Sequence, residues 1–263
     1  MSAASESTFN TVASDYDKYR PTYVDELYRI IFGYMPLNET STALEIGIGT
    51  GQASAPILST GCSLTAVEYG DELSAICREK FRNYHNFSVV TGRFEEVALP
   101  ESTFDLVYSA TAFHWIPEGI GYPKVLSLLK KGGAFARFAN RPYRDKGNTQ
   151  LACEIDELYD RYYYPFHGKK RRPSAEFTEK QASDIAETAA KYGFTDIKYA
   201  LFRRTRTFSA DEYCKLLGTY SDHITMDEDI RTAFFSEIKN AIDSHGGSIT
   251  IYDTIDLELA RKP

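Results

Sequence analysis

Residues 44–51 read Leu-Glu-Ile-Gly-Ile-Gly-Thr-Gly. The apolar run 42–46 leads into them and a helical pattern near 51–59 follows, so the glycines occupy a strand-to-helix turn. Gly47, Gly49 and Gly51 allow a tight turn and let a ligand come close to the backbone. Their spacing is G-x-G-x-G. The dinucleotide fingerprint needs its third glycine at position 52, where this chain has Gln52. No Gly-Lys-Ser/Thr follows, so a phosphate-cradling P-loop is disfavoured. The next apolar run ends at Val67-Glu68-Tyr69. An acidic residue in that place can accept two hydrogen bonds from a ribose diol.

Working outward, the apolar runs 42–46, 63–67, 86–91, 104–109 and 134–139 alternate with helical patterns near 51–59, 71–82 and 119–130. This is the rhythm of βαβ units, and it predicts a parallel sheet covered on both faces. Upstream, Val24, Leu27, Tyr28, Ile31 and Tyr34 have helical spacing, with Pro36 as a stop; residues 1–15 are expected to be loose at the start. Beyond Asn140 the pattern changes. Residues 148–163 read as a helix rich in charge and tyrosine, and 166–174 are polar and basic. Thr178 with Gln181 forms a capping-box signal for a helix over 179–192, closed by Gly193; Ser209 with Glu212 forms another, for 210–218. Residues 196–203 read as strand, 227–244 as helix, and 249–259 alternate like a half-buried strand.

Composition excludes several classes. The 263 residues include 19 Tyr, 16 Phe and one Trp, far more rings than a disordered chain carries. No apolar run approaches the ~18 residues of a membrane span. The N-terminus, MSAASESTFN, lacks the basic flank and apolar stretch of a secretory signal. Cys62, Cys77, Cys153 and Cys214 are scattered with no C-x-x-C, which argues against a zinc knuckle or disulfide framework and fits a cytoplasmic location. The net charge of −7 disfavours a nucleic-acid partner.

Together these stretches resemble the class I S-adenosylmethionine-dependent methyltransferases. LEIGIGTG is similar to their first motif, and Glu68 to the acidic end of their second strand. FDLVYSATAFHWI (104–116) is similar to their fourth-strand motif. LLKKGGAF (128–135) resembles their L-K-P-G-G turn, with Lys131 where Pro is usual. YDKYRPTY (16–23) and the SATAFHW run resemble the small-molecule branch that includes trans-aconitate methyltransferase. The resemblance implies an α/β, Rossmann-like, seven-stranded, mostly parallel sheet with helices on both faces and an antiparallel last strand. It implies one domain over 1–263: a helical lid at 1–35, a cofactor-binding core at 36–140, and helical insertions at 141–178 and 209–245 covering the acceptor site. Residues 179–208 and 246–263 then complete the sheet.

The resemblance also implies residue roles, with S-adenosylmethionine as cofactor, S-adenosylhomocysteine as product and no metal. Glu45 and the turn of Gly47, Gly49 and Gly51 would lie under the methionine part. Glu68 would hold the ribose, and Tyr69 would flank the adenine. Many relatives place an Asp after the glycine of the third strand, but here Gly92 is followed by Arg93. A Phe94 amide and Glu95 are the candidates to replace that contact. Ser109 and Ala110 would sit beside the methionine, and Tyr19 or Arg20 would meet the cofactor carboxylate, Arg through its bidentate fork. Phe113, His114, Trp115 and Tyr163 are candidates for the acceptor pocket. His114 could act as a general base or simply bond a backbone group; Phe113 and Trp115 could wall the pocket or pack in the core. His223 is a weaker candidate for reaching the acceptor.

The activity implied is methyl transfer to a small molecule by direct displacement, with no membrane or nucleic-acid partner. A carboxylate acceptor would need no base and would want cationic anchors such as Arg20, Arg141 or Arg144. The alternatives are an RNA or tRNA methyltransferase and a non-catalytic S-adenosylmethionine-binding protein. Base-amino methyltransferases follow the fourth strand with an Asn/Asp-Pro-Pro-Tyr type motif, whereas this chain has Ser109-Ala110-Thr111-Ala112. The run Lys169-Lys170-Arg171-Arg172 reads as a solvated loop, because no aromatics interleave it. The rings at 16–23, 113–115 and 159–166 are expected to line a water-poor acceptor pocket beneath the lid.

Overall fold

In the computed structural model, which describes residues 13–144, 149–171 and 174–263, the apolar runs fold as strands and the segments of helical period as helices. The segment 1–12, expected to be loose, and Arg172 of the basic run lie outside the described residues. Strands β1 (Thr42–Ile46), β2 (Ser63–Glu68), β3 (Phe87–Thr91), β4 (Phe104–Ala110), β5 (Leu129–Arg144), β6 (Thr195–Ser209) and β7 (Ser248–Arg261) form one sheet in the order β3-β2-β1-β4-β5-β7-β6. β1 pairs in parallel with β2 and β4, β2 with β3, and β4 with β5. The last strand, β7, is antiparallel. From β1 the chain steps out to β2 and β3 on one side and then crosses to β4 on the other, so the order reverses between β1 and β4. Open α/β sheets bind ligands at such a reversal, beyond the carboxyl ends of the strands. The glycine turn stands there, directly after β1.

The helices are α1 (Ala13–Tyr19), α2 (Asp25–Tyr34), α3 (Ser54–Leu58), α4 (Asp71–Lys80), α5 (Glu118–Leu128), α6 (Thr149–Leu158), α7 (Tyr164–His167), α8 (Glu179–Glu187), α9 (Ala210–Leu217), α10 (Ser221–Ile224) and α11 (Glu228–Ser244). Both capping boxes form: Thr178 accepts from the Gln181 amide and Ser209 from the Glu212 amide. Several boundaries differ from the sequence reading. The glycine turn takes up the residues before Ser54, which leaves α3 short. β5 starts at Leu129, because Leu129 already pairs with Phe104 ahead of an irregularity in the ladder. β6 runs on to Ser209, and its Arg204 and Arg206 pair with Asp253 of β7. The predicted helix 148–163 is α6 followed by a π-helical turn at Tyr159–Tyr163.

The chain divides into two units, and the division falls inside β5, β6 and β7. The first unit comprises 21–140, 177–202 and 255–263, the second 1–20, 141–176 and 203–254. In the first, alternate residues of each strand feed two apolar clusters. Ala43, Leu106 and Tyr108 belong to a cluster with Leu27, Ile31, Leu64 and Phe138. Leu44, Ile46 and Val107 belong to another with Phe113, Val125 and Phe135. The second unit has its own aromatic-rich cluster, including Leu151, Ile155, Tyr159, Tyr163, Tyr213, Phe234 and Ile238.

Candidate functional site

The turn after β1 is built around backbone that side chains would obstruct. Gly47 and Gly51 have φ of 70° and 81°, in the left-handed region. A Cβ on Gly47 would stand 2.4 Å from the Cβ of Ala112, and one on Gly51 would stand 2.3 Å from the Phe81 ring. Glu68, at the end of β2, faces this turn. Its Oε2 accepts from the Gly49 amide at 2.8 Å and its Oε1 from the Gly70 amide at 2.9 Å. Burial raises the carboxyl pKa, opposed by these amide donors. Parallel pairing sets Glu68 opposite Thr91, so the acidic end of β2 sits next to the third strand's glycine, Gly92.

Glu45 occupies the middle of β1 and is fully buried. It lies on the strand face of Ala43, among the apolar cluster of Leu27, Ile31 and Phe138. The register places it opposite Tyr108, whose hydroxyl donates to Glu45 Oε2 at 2.6 Å. Ser54, the first residue of α3, donates to the same oxygen at 2.6 Å. Oε1 is buried with no hydrogen-bond partner. Desolvation pushes this carboxyl up to about 7, against the two hydroxyl donors. A half-satisfied buried carboxyl is costly, and a group that donates to Oε1 relieves that cost. Sequence reasoning missed Ser54 and Tyr108. The available signal was a lone tyrosine in the apolar strand FDLVYSA, since a buried phenol needs a partner.

The segment after β4 is also strained. Thr111 has φ of 57°. For a β-branched residue this conformation costs roughly 1–3 kcal/mol and persists only where the surroundings impose it. Its amide donates to Phe138 O at 2.8 Å, and its hydroxyl accepts from the Asn140 amide at 3.2 Å. The same hydroxyl shares a 2.6 Å hydrogen bond with Tyr23.

The remaining expected residues fall in three places. Tyr69 is 43 % exposed, and the Arg93 guanidinium lies 5.6 Å from its ring. Arg93 also pairs with Glu95 at 3.6 Å. The Phe94 ring is buried in the core, and Lys124 Nζ donates to the carbonyls of Phe94 and Val97, both at 2.6 Å, ordering this turn. Ser109 is buried and donates to Ile46 O at 2.9 Å; Ala110, which ends β4, is half-buried. Phe113 takes the core-packing reading: it is buried against Tyr122 and Phe135. His114 and Trp115 are exposed on a short 3-10 turn, with their rings 4.8 Å apart. All of these belong to the first unit.

Tyr19, Arg20 and Tyr163 belong to the second unit. Tyr19 is half-buried against the apolar cluster there, under Lys18 and Lys215. The Arg20 guanidinium lies 4.8 Å from the ring of Tyr16 and 4.4 Å from that of Tyr220, and it donates to Thr219 O at 2.8 Å. Its Nε is buried without an acceptor, and no carboxylate of the described residues pairs with it. By contrast, Arg144 pairs with Asp156, and Arg204 and Arg206 pair with Asp253. Tyr163 donates to Asp222 Oδ2 at 2.5 Å. Asp222 also holds His223 Nδ1 at 2.8 Å, and His223 Nε2 lies 2.9 Å from the Tyr159 hydroxyl. The His223 ring beside it holds the Asp222 carboxyl well below the usual carboxylate range, in spite of burial. Among the described residues no cluster of His, Cys, Asp and Glu is arranged to hold a metal ion. No helix among them is long and apolar enough to cross a membrane.

Comparisons with known proteins find methyltransferases. A family model described as a methyltransferase domain matches residues 44–136, from the glycine turn to β5. An uncharacterised methyltransferase of Geobacillus sp. is 31 % identical over 56 % of this chain and 71 % of its own length. One from Schizosaccharomyces pombe is 26 % identical over 86 % of this chain and 88 % of its own. A malonyl-[acyl-carrier protein] O-methyltransferase of Marinomonas sp. is 28 % identical over 50 % of this chain and 49 % of its own. Among solved structures, a protein of Anaeromyxobacter dehalogenans described as a type II methyltransferase superposes with a TM-score of 0.63 at 18 % identity, covering 93 % of this chain and 98 % of that one.

Proposed function

This chain belongs to the class I S-adenosylmethionine-dependent methyltransferases, and from that premise we propose that its methyl acceptor is a small molecule bearing a carboxylate. The cofactor residues are read as follows. Glu45 Oε1, buried and lacking a donor, suits the ammonium of the methionine part. Glu68 suits the ribose hydroxyls, and Tyr69, Phe94 and Glu95 the adenine. The turn of Gly47, Gly49 and Gly51, with Ser109 and Ala110, is read as the seat of the methionine chain. When bound, the cofactor supplies a methyl group on a sulfonium, open to in-line displacement. The protein's part is then to hold the nucleophile in line and exclude water, both of which lower the barrier to displacement. A carboxylate is already ionised near neutral pH and gives up no proton, so His114 can stand exposed and serve no base.

The observation that carries the acceptor class is Arg20. Its guanidinium has two tyrosine rings within 5 Å, one carbonyl acceptor and a buried Nε without a partner. A charged-group donor left unmade in that setting is costly, and a carboxylate satisfies it with a bidentate pair. The name of the Marinomonas relative, an O-methyltransferase of a malonyl group, supports the same class.

The test is to incubate the protein with S-adenosylmethionine and a panel of small carboxylates, alcohols and amines, and to follow S-adenosylhomocysteine. Turnover confined to carboxylates, and lowered at least ~100-fold in kcat/KM by Arg20→Met, is expected. Turnover of uncharged acceptors that ignores this substitution overturns the proposal. If Arg20→Met instead abolishes calorimetric binding of S-adenosylhomocysteine, Arg20 serves the cofactor carboxylate.

A further inference from the structure

We propose that Tyr23 is a positioning residue for cofactor binding, acting through Thr111. The Tyr23 hydroxyl lies 2.6 Å from Thr111 Oγ1, across 88 residues of chain. The tyrosine is itself held by packing: its ring meets Phe138 edge-on at 4.7 Å, and Phe138 stacks on Tyr108. Thr111 is left-handed at φ 57°, a conformation its β-branched side chain resists. Its carboxyl neighbour, Ala112, is the residue that meets Gly47, where any Cβ would come within 2.4 Å. Tyr108, on the same stack, also holds the Glu45 carboxyl.

These contacts form one chain of cause. The Tyr23 hydroxyl, with the Asn140 amide, fixes the Thr111 hydroxyl; this imposes the left-handed turn; the turn seats Ala112 on Gly47. Released from that hydrogen bond, Thr111 relaxes toward the ordinary extended or helical basins, and Ala112 leaves the glycine turn. The glycine turn then loses the surface that keeps it in its binding shape. The inference rests on the cofactor reading above, and its test needs no acceptor.

S-adenosylhomocysteine binding is measured by calorimetry, with thermal unfolding run alongside. Tyr23→Phe removes one hydroxyl and is expected to weaken binding about five- to tenfold, the scale of one net hydrogen bond. Thr111→Val removes the other hydroxyl while keeping the β-branch, and is expected to weaken binding at least as much, because it also takes the acceptor from the Asn140 amide. In a Thr111→Gly background the left-handed turn no longer needs imposing, so adding Tyr23→Phe there is expected to change affinity less than about twofold. Equal costs of Tyr23→Phe in the two backgrounds overturn the proposal, as does wild-type affinity in Thr111→Val. If Tyr23→Phe fails to fold, Thr111→Val against Thr111→Gly decides: a weakened Val variant beside a tighter Gly variant supports the latch, and equal affinities sink it. A wild-type protein that does not bind S-adenosylhomocysteine would refute the cofactor reading instead.

Discussion

Glu45 carries an acidic side chain into a layer of Leu, Ile and Phe, and the cost shows as a carboxyl pushed up to about 7 from 4.5. The sign of its effect on stability follows. Between about 4.5 and 7 the folded protein holds the proton and the unfolded chain has lost it, so rising pH favours unfolding through that window. The destabilisation is complete above about 7 and amounts to about 3 kcal/mol at ~1.4 kcal/mol per pKa unit. Urea unfolding at about pH 5 and pH 8 is expected to show this loss in the wild type and not in Glu45→Gln, while the variant binds S-adenosylhomocysteine more weakly. A wild type whose stability does not fall over that range, once other titrations are matched by the variant, contradicts the assignment. At the same scale, Gly47→Ala meets both a left-handed φ and the Ala112 methyl. It is expected to weaken S-adenosylhomocysteine binding at least ~10-fold, measured by calorimetry. Unchanged affinity would mean that the turn does not contact the cofactor.

Elements whose determinants are local were legible from the chain. The capping boxes at Thr178 and Ser209 form as their spacing requires. Ser209→Ala is expected to cost about 1 kcal/mol in chemical unfolding, and Ser209→Asp to recover most of it. A cost near zero would show that α9 is held by packing alone. The failures lie where pairing decides. Leu129-Lys130-Lys131-Gly132-Gly133 reads as the end of a helix and a turn, yet it is strand, because Leu129 meets Phe104 and Gly132 bonds Lys262 across 130 residues. Arg203, Arg204 and Arg206 alternate on β6 as strand residues do, with Arg203 on exposed Glu176, but it is the neighbouring β7 that brings Arg204 and Arg206 together on Asp253. The π-helical turn at Tyr159–Tyr163 has no local signal at all. It accompanies the hydrogen bonds of Tyr159 to His223 and of Tyr163 to Asp222.

On the scale of the whole molecule, the abundance of rings has a structural use. Tyr159, Tyr163, Tyr213 and Phe234 are buried in the core of the second unit, and Tyr162, Tyr164, Tyr220 and Phe235 pack against it. Of the rings expected to line a pocket, only Trp115 and Phe166 are exposed. Phe234, fully buried there among Tyr159, Tyr162 and His223, is a direct probe. Phe234→Ala is expected to destabilise by about 3–5 kcal/mol, measured by chemical unfolding followed by tyrosine fluorescence. A cost below about 1 kcal/mol would mean that these rings are not a core. Asp253 is wholly buried between two arginines, and Asp253→Asn, which leaves both cations, is expected to cost about 3 kcal/mol in the same assay.

By itself the sequence determined the class of fold, the glycine turn after β1, Glu68 at the end of β2 and the caps of α8 and α9. The turn, Glu68 and the caps rest on residues within a few positions of one another, and the class of fold on short apolar runs alternating with helical patterns, so that periodicity, φ preference and capping chemistry act directly. Only the tertiary structure decided that Tyr108 and Ser54 hold one oxygen of Glu45 and leave the other bare, that Tyr23 holds Thr111, and that Asp253 gathers two arginines. The Tyr108, Tyr23 and Asp253 contacts join residues 47 to 88 positions apart. Strand order and register set which of the strand residues meet, and a shift of one residue would turn Tyr108, Arg204 or Arg206 to the opposite face.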